Sequence, residues 1–173
     1  PNVKECAEEM LSITVQDYQT RRLKVFGTRP YKNTRDDVEF ILCDGEQHLL
    51  RCFLDYWIQN FPDILTGWNV DGYDVPYICG RLERLFGEKE MKLMSPWGHV
   101  KREEIEVKGR EQIFYRMSGI NVIDYLDLYK KFTYTNQESY RLDHIAFVEL
   151  GEKSLVILMK HFVIGTQKIF NRL

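Results

Sequence analysis

A mixed α/β fold, with a sheet flanked by helices, is predicted by three features of this chain. Apolar and polar residues alternate with period two near its start. From Leu49 the spacing switches to that of an amphipathic helix. Beyond that point short apolar runs and helical patterns take turns, which favours a sheet covered by helices. At 173 residues the chain has room for one domain with a real core.

The elements follow in order. Leu11, Ile13 and Val15 alternate with Ser12, Thr14 and Gln16, the pattern of a half-buried strand. Residues 23–26 form a second strand after a polar turn. Val38, Phe40 and Leu42, alternating with Glu39, Ile41 and Cys43, form a third. Short polar links between them suggest an antiparallel start. Leu49, Leu50, Phe53, Leu54, Trp57, Ile58 and Phe61 then share one helical face, with Arg51, Asp55 and Gln59 opposite. Asp44-Gly45 opens that helix and Pro62 closes it. Ile64-Leu65 begin a short strand ending near Trp68. A second helix has Ile78, Leu82, Leu85 and Phe86 on one face, Arg81, Glu83 and Arg84 on the other, and Gly87 at its end. Residues 99–105 and 112–116 make a hairpin around Lys108-Gly109. Residues 121–123 form a buried strand, and 125–132 and 139–150 form helices, the latter followed by Gly151. No repeat or linker interrupts this order.

Composition narrows the class. Apolar residues are 44% of the chain and aromatic ones 13%, ordinary for a globular protein and too rich for a disordered one. Net charge is −2 and the pI about 6.1, so there is no basic excess of the kind nucleic-acid binders often show. A site that handles phosphates through carboxylate-held metal ions remains compatible with that balance. Cys6, Cys43, Cys52 and Cys79 show no CxxC and no Cys/His zinc spacing, so they read as buried thiols in a reducing compartment. The longest apolar run, 155–159, falls far short of the ~20 residues a bilayer span needs. No signal peptide is visible, and the expected location is cytoplasmic. A chain that starts at Pro1 reads as a fragment or a processed piece.

The stretch TGWNVDGYDVPY (66–77) concentrates turn-forming residues just before a helix. Asp74 has two readings. As a helix N-cap its carboxylate would accept first-turn N–H groups, with Pro76 placed where no donor is lost. As a functional group it sits where a strand ends and a helix begins, the rim at which open α/β sheets form clefts. Carboxylates there can hold magnesium, which prefers oxygen ligands, for phosphodiester hydrolysis.

A resemblance to a known family bears on both readings. Asn69, Tyr73 and Asp74 match the pattern Asn-x-x-x-Phe/Tyr-Asp, and TGWNVDGYDVPYICGRLERLFG resembles the second exonuclease motif of family B DNA polymerases. SPWGHVK (95–101) and NVIDYLDLYKKFTYTNQESYRLDHIA (121–146) are similar to later segments of the T-even phage members. The resemblance spans roughly 8–150. It implies a ribonuclease-H-like 3′–5′ proofreading exonuclease domain that holds two Mg2+ or Mn2+ ions through four acidic residues from three motifs. It implies Asp74 as catalytic metal ligand, with Asn69 and Tyr73 as DNA-binding residues near the primer 3′ end. It further implies single-stranded DNA and the remaining polymerase domains as partners, no membrane, and a phage-infected or bacterial host cell. Asp74 then combines weak capping with a place in the cleft.

Two motifs of that family are not matched. No Asp-x-Glu precedes Leu11, and no Asp follows Asp143, so Tyr-x-x-x-Asp is absent there. Glu149 and Glu152 follow no Tyr at the right distance. The expectation is a partial exonuclease domain over 1–153, its first strand and last helix missing or replaced. Segment 154–173 diverges from the family and is packed on the domain or poorly ordered. With one of four ligands, the chain alone binds metal weakly and is catalytically inactive.

Asp124 and Asp127 read as structural, a helix cap or partners of Lys130 and Lys131. His48, His99, His144 and His161 are scattered, and His144 beside Asp143 is a poor general base. Lys101, Arg102, Lys108, Arg110 and Arg116 form either a solvated face or phosphate contacts. Trp68, Tyr73, Tyr134 and Tyr140 are available for base stacking. The alternative function is a non-catalytic single-stranded DNA-binding or interdomain module.

Overall fold

The computed structural model describes residues 2–107 and 109–151. Segment 154–173, with Glu152 and Lys108, lies outside them. The described chain is a mixed α/β structure. β1 (Ser12–Gln16), β2 (Leu23–Gly27) and β3 (Val38–Leu42) form one sheet. α1 (Gly45–Gln59) follows, then β4 (Ile64–Gly67), a single π-helical turn (Val70–Asp74) and α2 (Val75–Phe86). A short α3 (Glu88–Met91) and a 3₁₀ turn (Lys92–Met94) lead to the hairpin of β5 (Val100–Val107) and β6 (Arg110–Met117). β7 (Asn121–Asp124), α4 (Tyr125–Phe132) and α5 (Leu142–Leu150) complete it.

The pairing corrects the expected antiparallel start. β1 and β2 are antiparallel, but β2 and β3 run parallel, with Leu23 opposite Val38. The connection 28–37 is long enough to return the chain to the same end of the sheet instead of folding back as a hairpin. Nor do the strands join into one sheet. β4 pairs in parallel with β7, β5 pairs with β6, and among the described residues neither pair is bonded to β1–β3.

The core packs α1 against β1, β2 and the 3₁₀ turn. Phe53, Leu49, Leu50 and Trp57 on one face of α1 are fully buried, as the helical spacing predicts. Each such side chain stabilises the fold by about 1.5–3 kcal/mol. Phe26 of β2 meets Phe53 edge-on at 6.0 Å, and the Trp57 indole N–H donates to the Met94 carbonyl at 2.8 Å. That bond ties the 3₁₀ turn to the core and satisfies the one polar atom the indole buries.

Several side chains depart from the pattern. Leu11 and Ile58 are exposed, whereas Thr14 is buried beside Ile13 and Val15. Arg81, expected on the solvent face of α2, is buried. Its guanidinium donates to both carboxylate oxygens of Glu46, in the first turn of α1, and to the Cys6 carbonyl at 2.7 Å. Glu46 also accepts the Met10 N–H at 2.8 Å. A buried charge pair survives here because backbone groups complete its hydrogen bonds. The segment before β1 is thereby strapped over α2, helped by the Tyr77 hydroxyl donating to the Glu8 carbonyl and Arg84 donating to that of Glu5. Gly80 is needed at this crossing, since a Cβ there would overlap the Cys6 sulfur. α5 starts at Leu142, later than its expected residue 139, because Arg141 is still extended.

Candidate active site

β4 delivers the chain to the sheet rim, where Asn69 takes a left-handed conformation (φ 59, ψ 30). Asn tolerates that region better than most residues. The chain reverses at Asn69 and enters the π-helical turn, with the Tyr73 N–H donating to the Asn69 carbonyl at 3.0 Å. The Asn69 side chain lies against Gly72, where a Cβ would stand 2.8 Å from Oδ1. A glycine at 72 is what lets the turn close this tightly.

Asp74 ends the π turn with helical backbone angles (φ −71, ψ −49), and its side chain makes no cap bond. This overturns the weak capping role. The π turn runs straight into α2, so the first amides of α2 already find backbone acceptors, as Val75 N–H does at Val70. Of the next two positions, Val75 is thus already bonded and Pro76 has no N–H to offer a side-chain cap. Asp74 and Tyr73 are half-buried and Asn69 is exposed. Tyr73 stacks on Tyr77 at 5.7 Å, its ring nearly parallel.

The turn is held from a distance by Asp124, which is 9% exposed. Its Oδ1 accepts the Asn69 N–H at 2.9 Å and its Oδ2 the Asp71 N–H at 3.0 Å. Oδ1 also accepts the Leu126 N–H at 2.9 Å, capping α4. The expected cap is therefore present, and with it a long-range half that no local pattern announces. The β4–β7 pairing makes it possible by placing Gly67 opposite Asp124. With three N–H donors on its two oxygens, this carboxylate serves the backbone.

A second tether comes from the hairpin. Arg116 of β6 donates to Asp71 Oδ2 at 2.7 Å and also faces Glu103 at 3.5 Å. The other Asp71 oxygen, Oδ1, is buried and has no hydrogen-bond partner among the described residues. Burial is the leading influence on this carboxyl and raises its pKa, against the lowering effect of Arg116. The remaining hairpin cations with described side chains also face carboxylates, Lys101 with Glu103 and Arg102 with Glu104. That favours a solvated, self-paired face over phosphate contacts.

Of the aromatic residues available for stacking, Trp68 and Tyr140 are engaged with Tyr129, and the Trp68 indole N–H donates to the Tyr140 carbonyl at 3.2 Å. Tyr134 is fully exposed. The His144 N–H bonds to the neighbouring Asp143 carboxylate at 2.9 Å.

The turn itself carries two carboxylates, Asp71 and Asp74, and that of Asp71 is already bonded to Arg116. Among the described residues, the one group of three metal-capable side chains is Cys43, His48 and Cys52, at the β3–α1 junction and away from this turn. Two octahedral magnesium ions need more oxygen ligands than these residues supply. The described chain therefore does not fit a two-ion centre by itself.

This arrangement, an α/β fold with its acidic turn at a strand–helix junction, falls within a known class. The family model for DNA polymerase family B, exonuclease domain, matches residues 3–145. The chain belongs to that family and carries a segment of its exonuclease domain. In particular it is 43% identical over 116 residues to the DNA-directed DNA polymerase of Escherichia phage RB69, covering 67% of this chain and 13% of the relative. It is 41% identical over 111 residues to that of Enterobacteria phage T4, covering 64% and 12%. A DNA polymerase catalytic subunit of Psittacid herpesvirus 1 is 30% identical over 127 residues, covering 68% and 11%. The chain thus spans about an eighth of the length of its phage relatives.

Proposed function

We propose that in an intact polymerase this segment forms one wall of a 3′–5′ proofreading exonuclease, removing the 3′-terminal nucleotide of a primer. The observation that carries this reading is the Asn69–Tyr73–Asp74 turn at the β4–α2 junction, within the family match. Asp74 is assigned as a ligand to divalent metal, Mg2+ or Mn2+. Asn69 and Tyr73 are assigned to the primer end, Asn69 through its exposed amide and Tyr73 through its ring face. The ions would lower the pKa of an attacking water and stabilise the leaving oxygen. The chain's own contribution is positional, since Asp124 and Arg116 hold the turn that carries Asp74. Single-stranded DNA and the other polymerase domains are the proposed partners.

The open strand edges support a ribonuclease-H-like frame. Among the described residues β1 pairs only with β2, and β4 only with β7. One further strand between β1 and β4 would unite the two sheets into a single mixed one. No described helix is long and apolar enough to cross a membrane.

The expected behaviour of this chain alone is no hydrolysis of a 5′-labelled single strand with magnesium or manganese, and no rise in melting temperature with millimolar magnesium. In a full-length polymerase carrying this segment, Asp74→Ala should abolish exonuclease turnover and leave nucleotide addition intact. Turnover by the isolated chain that Asp74→Ala removes would overturn the assignment of missing ligands.

A further inference from the structure

Three side chains at the β3–α1 junction converge, although their sequence spacing matches no zinc pattern. Cys43 follows β3, His48 lies in the opening of α1, and Cys52 is one helical turn further along the same face. Their ligand atoms all lie within 4.8 Å of one another. Cys43 is buried, Cys52 half-buried and His48 exposed, so the group forms a shallow site open on the histidine side. The junction is well fixed. The Cys43 N–H donates to the Gly27 carbonyl at 2.8 Å, and Gly45 turns the chain into α1 with φ 82.

We propose that Cys43, His48 and Cys52 form a binding site for a thiophilic divalent ion of the zinc class, with solvent as fourth ligand. Two thiolates and an imidazole are the donor set zinc and cobalt prefer, and magnesium does not. The site is separate in element and in chemistry from the Asp74 turn.

The metal-free state has its own bonds, and these predict how binding proceeds. The Cys43 thiol donates to the Ile41 carbonyl at 3.6 Å. Metal ligation takes the thiolate form, so coordination displaces thiol protons into solvent and affinity rises with pH. His48 Nδ1 accepts the Asp44 N–H at 3.0 Å. Ligation through Nδ1 displaces that donor directly. Ligation through Nε2 moves the ring proton to Nδ1, which also breaks the bond. Either way the Asp44 amide is released on binding.

The test is cobalt titration of the fully reduced chain. One equivalent of Co2+ should produce thiolate-to-cobalt charge-transfer absorption that Zn2+ then displaces. Cys43→Ser and Cys52→Ser should each reduce that absorption, His48→Ala should shift it, and Asp74→Asn should leave it unchanged. Should the cysteine variants fail to fold, the unaltered chain still decides the matter, because Zn2+ must slow alkylation of Cys52 by iodoacetamide. Cobalt binding without charge-transfer absorption, loss of that absorption in Asp74→Asn, or Cys52 alkylation indifferent to zinc would each overturn the site. So would ready closure of a Cys43–Cys52 disulfide that zinc does not inhibit.

Discussion

Asp124 and Asp71 show how differently two acids near one turn can behave. Asp124 has both oxygens committed to backbone N–H groups from two segments. Removing it leaves part-buried donors unpaired, each costing at most about 1–3 kcal/mol, and deletes a helix cap worth roughly 1 kcal/mol. Asp124→Ala should therefore lose roughly 3–5 kcal/mol of stability by urea denaturation. Amide exchange at Asn69 and Asp71 should accelerate well before global unfolding, and Asp124→Asn should lose less. Asp71 has the opposite balance. Its folded-state pKa lies above the ordinary 3.8, so the folded form holds the proton more tightly than the unfolded chain does. Its contribution to stability is greatest below pH 3.8 and falls as pH rises through the raised value. Measured denaturation midpoints should thus show Asp71→Asn gaining on the wild type between acid and neutral pH. A gain by the wild type instead would mean that Arg116 outweighs burial.

Among the elements, α1 and α2 are clamped by the Glu46–Arg81 pair, with side-chain exposures of only 6% and 5%. Arg81→Met leaves a buried carboxylate and an unpaired Cys6 carbonyl, and should cost about 3–5 kcal/mol in thermal or chemical unfolding. Adding Glu46→Leu should recover only part of that loss, because the Met10 N–H and the Cys6 carbonyl stay unsatisfied. Local signals revealed the elements well. The period of 3.6 from Leu49 to Trp57 located α1, Asp44-Gly45 located its start, and 125–132 proved to be α4 to the residue. Gly87 closes α2 at φ 97, as a C-terminal glycine should. What stayed hidden was non-local. An arginine on a nominally polar face of α2 is indistinguishable from a solvated one until its partner at position 46 is known. The parallel run of β2 and β3, the reach of Asp124 to Asn69, and the convergence of Cys43 with His48 and Cys52 are likewise products of chain path. The candidate site was legible at Asn69, Tyr73 and Asp74 because a motif is a local spacing. The absence of a capping bond at Asp74 was not, because π geometry leaves no sequence mark there.

For the molecule as a whole, the shared carboxylate of Asp124 sets an order of assembly. The turn that carries Asp74 depends on a residue more than 50 positions further along the chain. The intervening segment contains α2, the hairpin and β7, so a large loop must close before the turn acquires its final shape. Helix formation in α1 and hairpin zipping between β5 and β6 rely on near neighbours and can precede it. Stopped-flow measurements should then find that Asp124→Ala speeds unfolding while scarcely slowing folding. The segment that holds Asp74 would be among the last to set as the chain folds, and the first to loosen when it is stressed.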